Sequence, residues 1–309
     1  MNNKLVIITG PTAVGKTSIS IKLAKAINGE IISADSMQIY KYMDIGSAKI
    51  KPEEMCGIKH YLIDELEPSE DFNVYLFKEM ALDALKKIYT NGHIPIVVGG
   101  TGFYIQALLY DIDFTKEDNS EVRAKYEELA RQIGPVALHK MLEDKDPEYA
   151  KTVHYNNVKK VIRALEFIEL NNTKFSDFNN EQRNNSSPYD FNYFVLTDER
   201  ENIYSNIEKR VDIMVNEGLL EEVKGLKAMG LTKDQNSMQG LGYKEILDYL
   251  DGICSFEEAV AKIKLETRHF AKRQLTWFRR EKTVDFINKT DFGHNEDKIL
   301  EYMINAINK

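Results

Sequence analysis

Cysteine is scarce in this chain, with two among 309 residues, Cys56 and Cys254, far apart and without CxxC spacing. That excludes a disulfide framework and a cysteine zinc site, and both thiols are expected to act as small apolar residues. Long apolar runs are also missing. None approaches the ~18 consecutive apolar residues of a membrane span, and the first glycine-rich loop begins about ten residues from Met1, too close for a secretory leader, so a cytoplasmic location is expected. Net positive charge is absent as well: 41 Lys and Arg stand against 49 Asp and Glu, a formal charge of −8. This argues against non-specific attraction of nucleic acid by the whole surface, although a local basic face is still allowed. What remains, 43% hydrophobic and 29% charged residues, suits a globular protein of one large or two smaller domains.

The most informative stretch is Leu5-Val6-Ile7-Ile8-Thr9, an apolar strand, followed by Gly10-Pro11-Thr12-Ala13-Val14-Gly15-Lys16-Thr17 and then helical periodicity at Ile19, Leu23, Ala26 and Ile27. Strand, G-x-x-x-x-G-K-T and helix together make a phosphate-binding loop. Gly10 and Gly15 allow the turn by which backbone N–H groups converge on phosphate oxygens, Lys16 supplies a charge, and the Thr17 hydroxyl can hold Mg²⁺.

A second strand, Glu30 to Ala34, empties into Asp35-Ser36-Met37-Gln38, and a third buried run, Ile94 to Val98, into Gly99-Gly100-Thr101-Gly102. Ligands bind at the carboxyl ends of parallel strands, so Asp35 and Thr101 are expected beside Lys16. Asp35 also suits a plain helix N-cap. His60 to Asp64 reads as another strand and Phe72 to Tyr89 as an amphipathic helix. The alternation predicts an α/β doubly wound parallel sheet of the P-loop NTPase-like kind.

From about Thr115 to Pro188 the pattern becomes helical, at Val122, Tyr126, Leu129 and Ile133, then Val136 to Leu142, then Val158 to Leu170. The predicted organisation is therefore a catalytic core of residues 1–114 and 189–309 with a helical insertion domain at 115–188. Lys159, Lys160 and Arg163 cluster within it, as an anion-binding group or a solvated helix face. Asn192 to Thr197 returns as a strand, a helix from about Arg200 to Leu220 carries Arg210, and Ser237 to Tyr243 forms a polar loop with Gly240 and Gly242. The last strongly patterned element, Ala259 to Lys282, holds 8 basic and 2 acidic residues. Lys264, Arg268, Lys272 and Arg279 share one side of its helical wheel, which points to RNA or to a merely solvated face.

Alone, the loop does not say whether its phosphate is transferred, hydrolysed or discarded as a leaving group. A hydrolase would show a buried strand ending in Asp, and Ile94 to Val98 ends in glycine instead. A small-metabolite kinase and a non-catalytic RNA-binding protein stay open on these residues.

Eight segments in order resemble the bacterial tRNA dimethylallyltransferases: Gly10 to Thr17, Ser33 to Tyr40, Met43 to Lys49, Val98 to Tyr104, Val161 to Glu166, Arg210 to Met214, Gly242 to Glu245 and Ala271 to Phe278. The resemblance implies transfer of a dimethylallyl group from dimethylallyl diphosphate to N6 of the adenosine 3′-adjacent to the anticodon, with Mg²⁺. It implies that Gly10 and Thr12 to Thr17 hold the diphosphate, that Asp35 takes the amine proton, that Thr101 lies near the bridging oxygen, and that Lys16 and Arg210 stabilise the departing group. It further implies tRNA contacts by Asp35 to Gln38, Thr101, Arg123, Lys159 to Arg163 and Gly240 to Tyr243. The expected partner is the tRNA anticodon stem-loop, with no membrane, and the chain acting as a monomer. An adenine buried in a stacked loop must be flipped to react, and Tyr104 and Tyr243 are available to stack on RNA or to pack.

Overall fold

The computed structural model describes residues 3–112, 120–183, 185–281 and 283–309. Strands β1 (Lys4–Thr9), β2 (Gly29–Ser33), β3 (His60–Tyr61), β4 (Ile94–Gly99), β5 (Asp190–Thr197) and β6 (Asp285–Asn288) form one parallel sheet in the order β3-β2-β4-β1-β5-β6. Helices α1 (Lys16–Ile27), α2 (Val74–Thr90) and α3 (Gly102–Leu109) follow strands in the first part of the chain. Four helices, α4 (Ser120–Lys145), α5 (Pro147–Ala150), α6 (Val158–Asn171) and α7 (Phe175–Arg183), come next. After β5 run α8 (Arg200–Glu217), α9 (Leu219–Ala228), α10 (Tyr243–Leu250) and α11 (Phe256–Phe278), and after β6 the closing α12 (Glu296–Ile307). This is the expected α/β doubly wound architecture. No helix among the described residues is long and apolar enough to cross a membrane.

The central strands are apolar because helices cover both faces of a parallel sheet. Val6, Ile8, Ile31, Ile96, Phe194 and Leu196 share a buried cluster with Ile19 and Leu23 of α1 and Ile299 and Met303 of α12. Helix starts are set locally. Asn73 accepts from Leu76 N to open α2, and Ser255 and Glu258 cap each other's backbone to open α11. Helix α1 differs: its N-cap is Gly15 with φ 94°, and no side chain caps it. Its first N–H groups remain for an anion.

The chain divides into two compact units, residues 1–109 with 188–309, and residues 110–187. In the second, α4 is bent where Gly134 (φ 78°) precedes Pro135, and its two halves pack with α6 through Tyr126, Leu138, Leu142, Val161 and Leu165. Ile133 and Val136, expected on the helical core pattern, flank that bend and are exposed. The expected boundary at 114/115 and the end of the basic segment at Lys282 lie outside the described residues.

Two expectations need correction, and two elements lie beyond the patterned sequence. The strand expected over His60 to Asp64 is two residues long, because Leu62 and Asp64 take positive φ and end it. The chain also has β6 and α12 beyond Lys282, where four strand residues carry too little periodicity to register. Cys56 is exposed and Cys254 half-buried, both as free thiols, so Cys56 does not serve as core.

Close approach between neighbouring strands is what the glycine at the end of β4 permits. A Cβ at Gly99 would lie 2.2 Å from the Ala34 carbonyl oxygen and 2.4 Å from its carbon. Gly99→Ala is expected to lower unfolding stability by about 2–3 kcal/mol through overpacking against backbone. Urea denaturation measures it, and an unchanged midpoint would show that the loops separate without cost.

Candidate active site

Strands β1, β2 and β4 release their chains at one edge of the sheet, with Thr9 level with Gly99 and Ser33 level with Val98. Their loops therefore meet. Thr9 Oγ1 donates to Gly99 O at 2.7 Å, and Ala34 N to Val98 O at 2.8 Å. Thr101 N donates to Ala34 O at 3.3 Å, which sets Thr101 directly beside Asp35. A cavity of about 350 Å³ opens there, lined by Thr12, Ala13, Gly15, Lys16 and Thr17, by Asp35 and Gln38, and by Ala48 and Gly100. Helix α8 contributes Asn206, Lys209, Arg210 and Ile213, and α11 contributes Phe270 and Gln274. The structure thus gathers Asp35, Lys16, Thr17 and Arg210 from three distant parts of the sequence. Thr101 stands one residue beyond the lining Gly100, and the Val14 side chain turns away into the core, leaving its backbone at the loop.

Charge in this cavity is poorly solvated. Burial first, and the Arg210 charge second, lower the Lys16 ammonium to about 7, while Asp35 pulls it upward. Burial likewise lowers Arg210, with Asp35 opposing. Asp35 Oδ1 accepts from Met37 N at 2.8 Å and Gln38 N at 3.4 Å. The capping reading and the chemical one are thereby compatible: one oxygen fixes the local turn, and the carboxylate still lines the cavity.

The phosphate loop is held by side chains at successive positions. Lys16 Nζ donates to Gly10 O at 3.0 Å and Pro11 O at 2.8 Å. Gln274 Oε1 accepts from Thr12 N at 2.9 Å, and its Nε2 donates to Gly100 O at 3.0 Å. Asn206 Nδ2 donates to Ala13 O at 3.4 Å, and Lys289 Nζ to Val14 O at 3.1 Å. Sequence reading passes over Asn206, Lys209, Gln274 and Lys289. Only Gln274 leaves a trace: with Ala271 and Phe278 it occupies the buried face of α11, a polar residue where the period calls for an apolar one.

Several residues expected at an RNA surface are placed otherwise. Tyr243 is buried; its ring packs on Gly46, where a Cβ would lie 2.5 Å away, and its hydroxyl donates to Glu222 at 2.8 Å. Glu222 also accepts from the backbone N–H groups of Asp44, Ile45 and Gly46. Gly240 and Gly242 are buried too, with Gly240 against Met37 Sδ. These residues shape the loops around Gln38 and Ala48 and present no stacking ring. Tyr104, stacked on Phe77 at 4.6 Å, is likewise packing. On α11, Lys264 and Arg268 are tied to Asp212 (2.6 Å) and Glu208 (3.2 Å) of α8, so half of the anticipated basic stripe is neutralised. Lys272 and Arg279 are exposed without an ion pair among the described residues, as are Lys159, Lys160 and Arg163 on α6. Arg123 pairs with Glu127 one turn along α4.

The profile of the IPP transferase family matches residues 38–281, which span the cavity walls from Gln38 to Gln274. The chain belongs to the IPP transferase family. It is 55% identical over 304 residues to a tRNA dimethylallyltransferase of Lachnoclostridium phytofermentans, covering 98% of this chain and 97% of that one. Among solved structures it resembles a tRNA isopentenylpyrophosphate transferase of Bacillus halodurans at 42% identity and TM-score 0.74, covering 99% of this chain and 97% of the other. A eukaryotic dimethylallyltransferase acting on tRNA superposes with TM-score 0.80 at 30% identity over 94% of this chain and 75% of the relative.

The position of Lys16 in this IPP transferase cavity makes anion binding proton-linked. Above about pH 7 the free amine is largely neutral, whereas a bound diphosphate would hold it as ammonium; the Lys16 contribution to affinity therefore rises as pH falls toward 7 and levels below it, on top of the protonation of diphosphate itself. Calorimetry of inorganic diphosphate in buffers of different ionisation enthalpy is expected to show more proton uptake by the wild type than by Lys16→Arg, which stays charged throughout. Equal uptake by the two would remove Lys16 from the linkage.

Proposed function

We infer that this chain transfers a dimethylallyl group from dimethylallyl diphosphate to N6 of the adenosine 3′-adjacent to the anticodon, in tRNAs that read codons beginning with U, acting in the cytoplasm as a monomer. Membership of the IPP transferase family and 55% identity to a protein named tRNA dimethylallyltransferase support the reaction class. The cavity supports the chemistry. Among the described residues lining it, Asp35 is the one carboxylate, in company with Lys16, Lys209 and Arg210. A hydrolase reading lacks its acid on β4, which ends in Gly99 and runs on into Gly100-Thr101.

An exocyclic adenine amine is a weak nucleophile because its lone pair is delocalised into the ring. In this reading Asp35 accepts its proton as the N–C bond forms. The allylic C–O bond breaks with its electron pair, which leaves on the diphosphate. Lys16, Arg210 and the loop N–H groups offset that charge inside a poorly solvated cavity, where a fixed dipole or cation counts for more than in water. Thr101, tied beside Asp35, is assigned to the bridging oxygen. Thr12 N–H is already committed to Gln274, so the N–H groups that follow it are the ones assigned to the anion.

The residues present fit a Mg²⁺ bound together with diphosphate. Thr17, whose hydroxyl is an oxygen ligand, lines the cavity, while no cluster of three His, Cys, Asp or Glu occurs among the described residues. Mg²⁺ keeps several waters and takes few protein ligands beside phosphate, so Thr17 is the residue of this chain that would hold it together with the diphosphate. When bound, the ion would supply further charge compensation to the diphosphate. For tRNA, exposed Lys272 and Arg279 of the core and Lys159, Lys160 and Arg163 of the insertion are the assigned phosphate contacts, and the target base leaves its stack to enter the cavity.

Incubation of the protein with Mg²⁺, dimethylallyl diphosphate and unmodified tRNA is expected to add one dimethylallyl group to the tRNA, read by mass spectrometry of its nucleosides. An unchanged tRNA at saturating substrates would refute the reaction. Asp35→Asn is expected to cut kcat by about 10²–10⁴-fold with tRNA affinity within about twofold. Parallel loss of both would make Asp35 a binding residue only.

A further inference from the structure

In a trans peptide the carbonyl and the next residue's N–H point to opposite sides of one plane, so holding a carbonyl also aims an N–H. The bond from Lys289 to the Val14 carbonyl therefore turns the Gly15 N–H away from Lys289, and the bond from Asn206 to the Ala13 carbonyl fixes the plane of the peptide that carries the Val14 N–H. Gln274 fixes the Pro11–Thr12 unit through Thr12 N and joins it to Gly100. Left to itself, this loop would not keep that shape. Ala13 (φ 63°) and Gly15 (φ 94°) are both left-handed, a conformation an alanine holds only when its surroundings impose it.

All three braces come from the part of the chain after the insertion, from α8, α11 and the turn following β6. The last is itself anchored, since Glu296 at the start of α12 accepts from Ser18 Oγ of α1 at 2.7 Å and pairs with Lys22 at 3.1 Å. Lys289 stands outside the set of residues lining the cavity. Its amine reaches the loop from behind, close to the Cα of Gly15, where an added Cβ would be 3.2 Å from Nζ.

We propose that Asn206, Gln274 and Lys289 are positioning residues that hold the phosphate loop in its anion-receiving form before diphosphate arrives. This rests on the loop being the diphosphate site of the reaction inferred above. The binding energy of the anion is then available for the leaving group and is not consumed in ordering the loop.

Asn206→Leu removes a donor without changing charge, and Lys289→Gln keeps a donor while removing charge. Asn206→Leu and Lys289→Met are each expected to raise the Kd for inorganic diphosphate by about three- to tenfold, the range of one hydrogen bond. Lys289→Gln is expected to recover most of the loss. KM for dimethylallyl diphosphate should rise in step, while tRNA affinity and thermal midpoint stay at wild-type values. Faster amide hydrogen exchange at Val14 and Gly15 in both weakened variants completes the signature, because a general loss of stability would speed exchange throughout the core. Wild-type diphosphate affinity in Asn206→Leu, or no recovery in Lys289→Gln, would overturn the proposal and leave Lys289 as a distant charge. Failure of the transferase reading shows separately, as absent prenylation by a wild type that still binds diphosphate.

Discussion

The hydrogen bonds that pair β1 with β4 on one side and β5 on the other hold the sheet parallel, so each strand releases its chain at the same edge. Strand order changes direction at β1, with β2 to β4 on one side and β5 and β6 on the other, and this switch opens a crevice above the strand ends. Gly10 sits in that crevice with φ +142° and with the Leu196 carbonyl oxygen where a Cβ would be, at 2.2 Å. Close strand packing and the phosphate loop are thus one feature.

Electrostatics in the cavity follow from burial. Two cations, Lys16 and Arg210, are brought close in a poorly solvated space; burial disfavours charge on both, and Arg210 disfavours it further on Lys16 unless an anion joins them. Asp35 supplies one negative charge and a diphosphate would supply more. A site built this way is most at ease when a leaving group carries charge into it, which is the demand of allylic transfer and not of proton chemistry alone.

The amino-acid sequence states the phosphate loop plainly, because glycine spacing, Lys16 and Thr17 act within eight consecutive residues. It also states the parallel strands as apolar runs and the insertion as a change of period. Side chains acting across the fold are less legible. Lys264 and Arg268 lie on one wheel face with Lys272, yet Asp212 and Glu208 of α8 claim the first two. Tyr243 belongs to a motif-like loop, yet Glu222 and Gly46 bury it. A helical wheel records the direction of a side chain from its axis and says nothing of what stands opposite.

By itself, then, the sequence determined local matters: the loop that binds phosphate, the turn that carries Asp35, the helix caps and the α/β class, each set by residues a few positions apart. Tertiary structure alone decided which distant side chains complete the loop. Asn206, Gln274 and Lys289 hold three peptide units of one loop from three separate elements, at sequence separations of 193, 262 and 275 residues. No periodicity carries that information, because backbone groups have no identity of their own and only the folded sheet brings them within hydrogen-bonding reach.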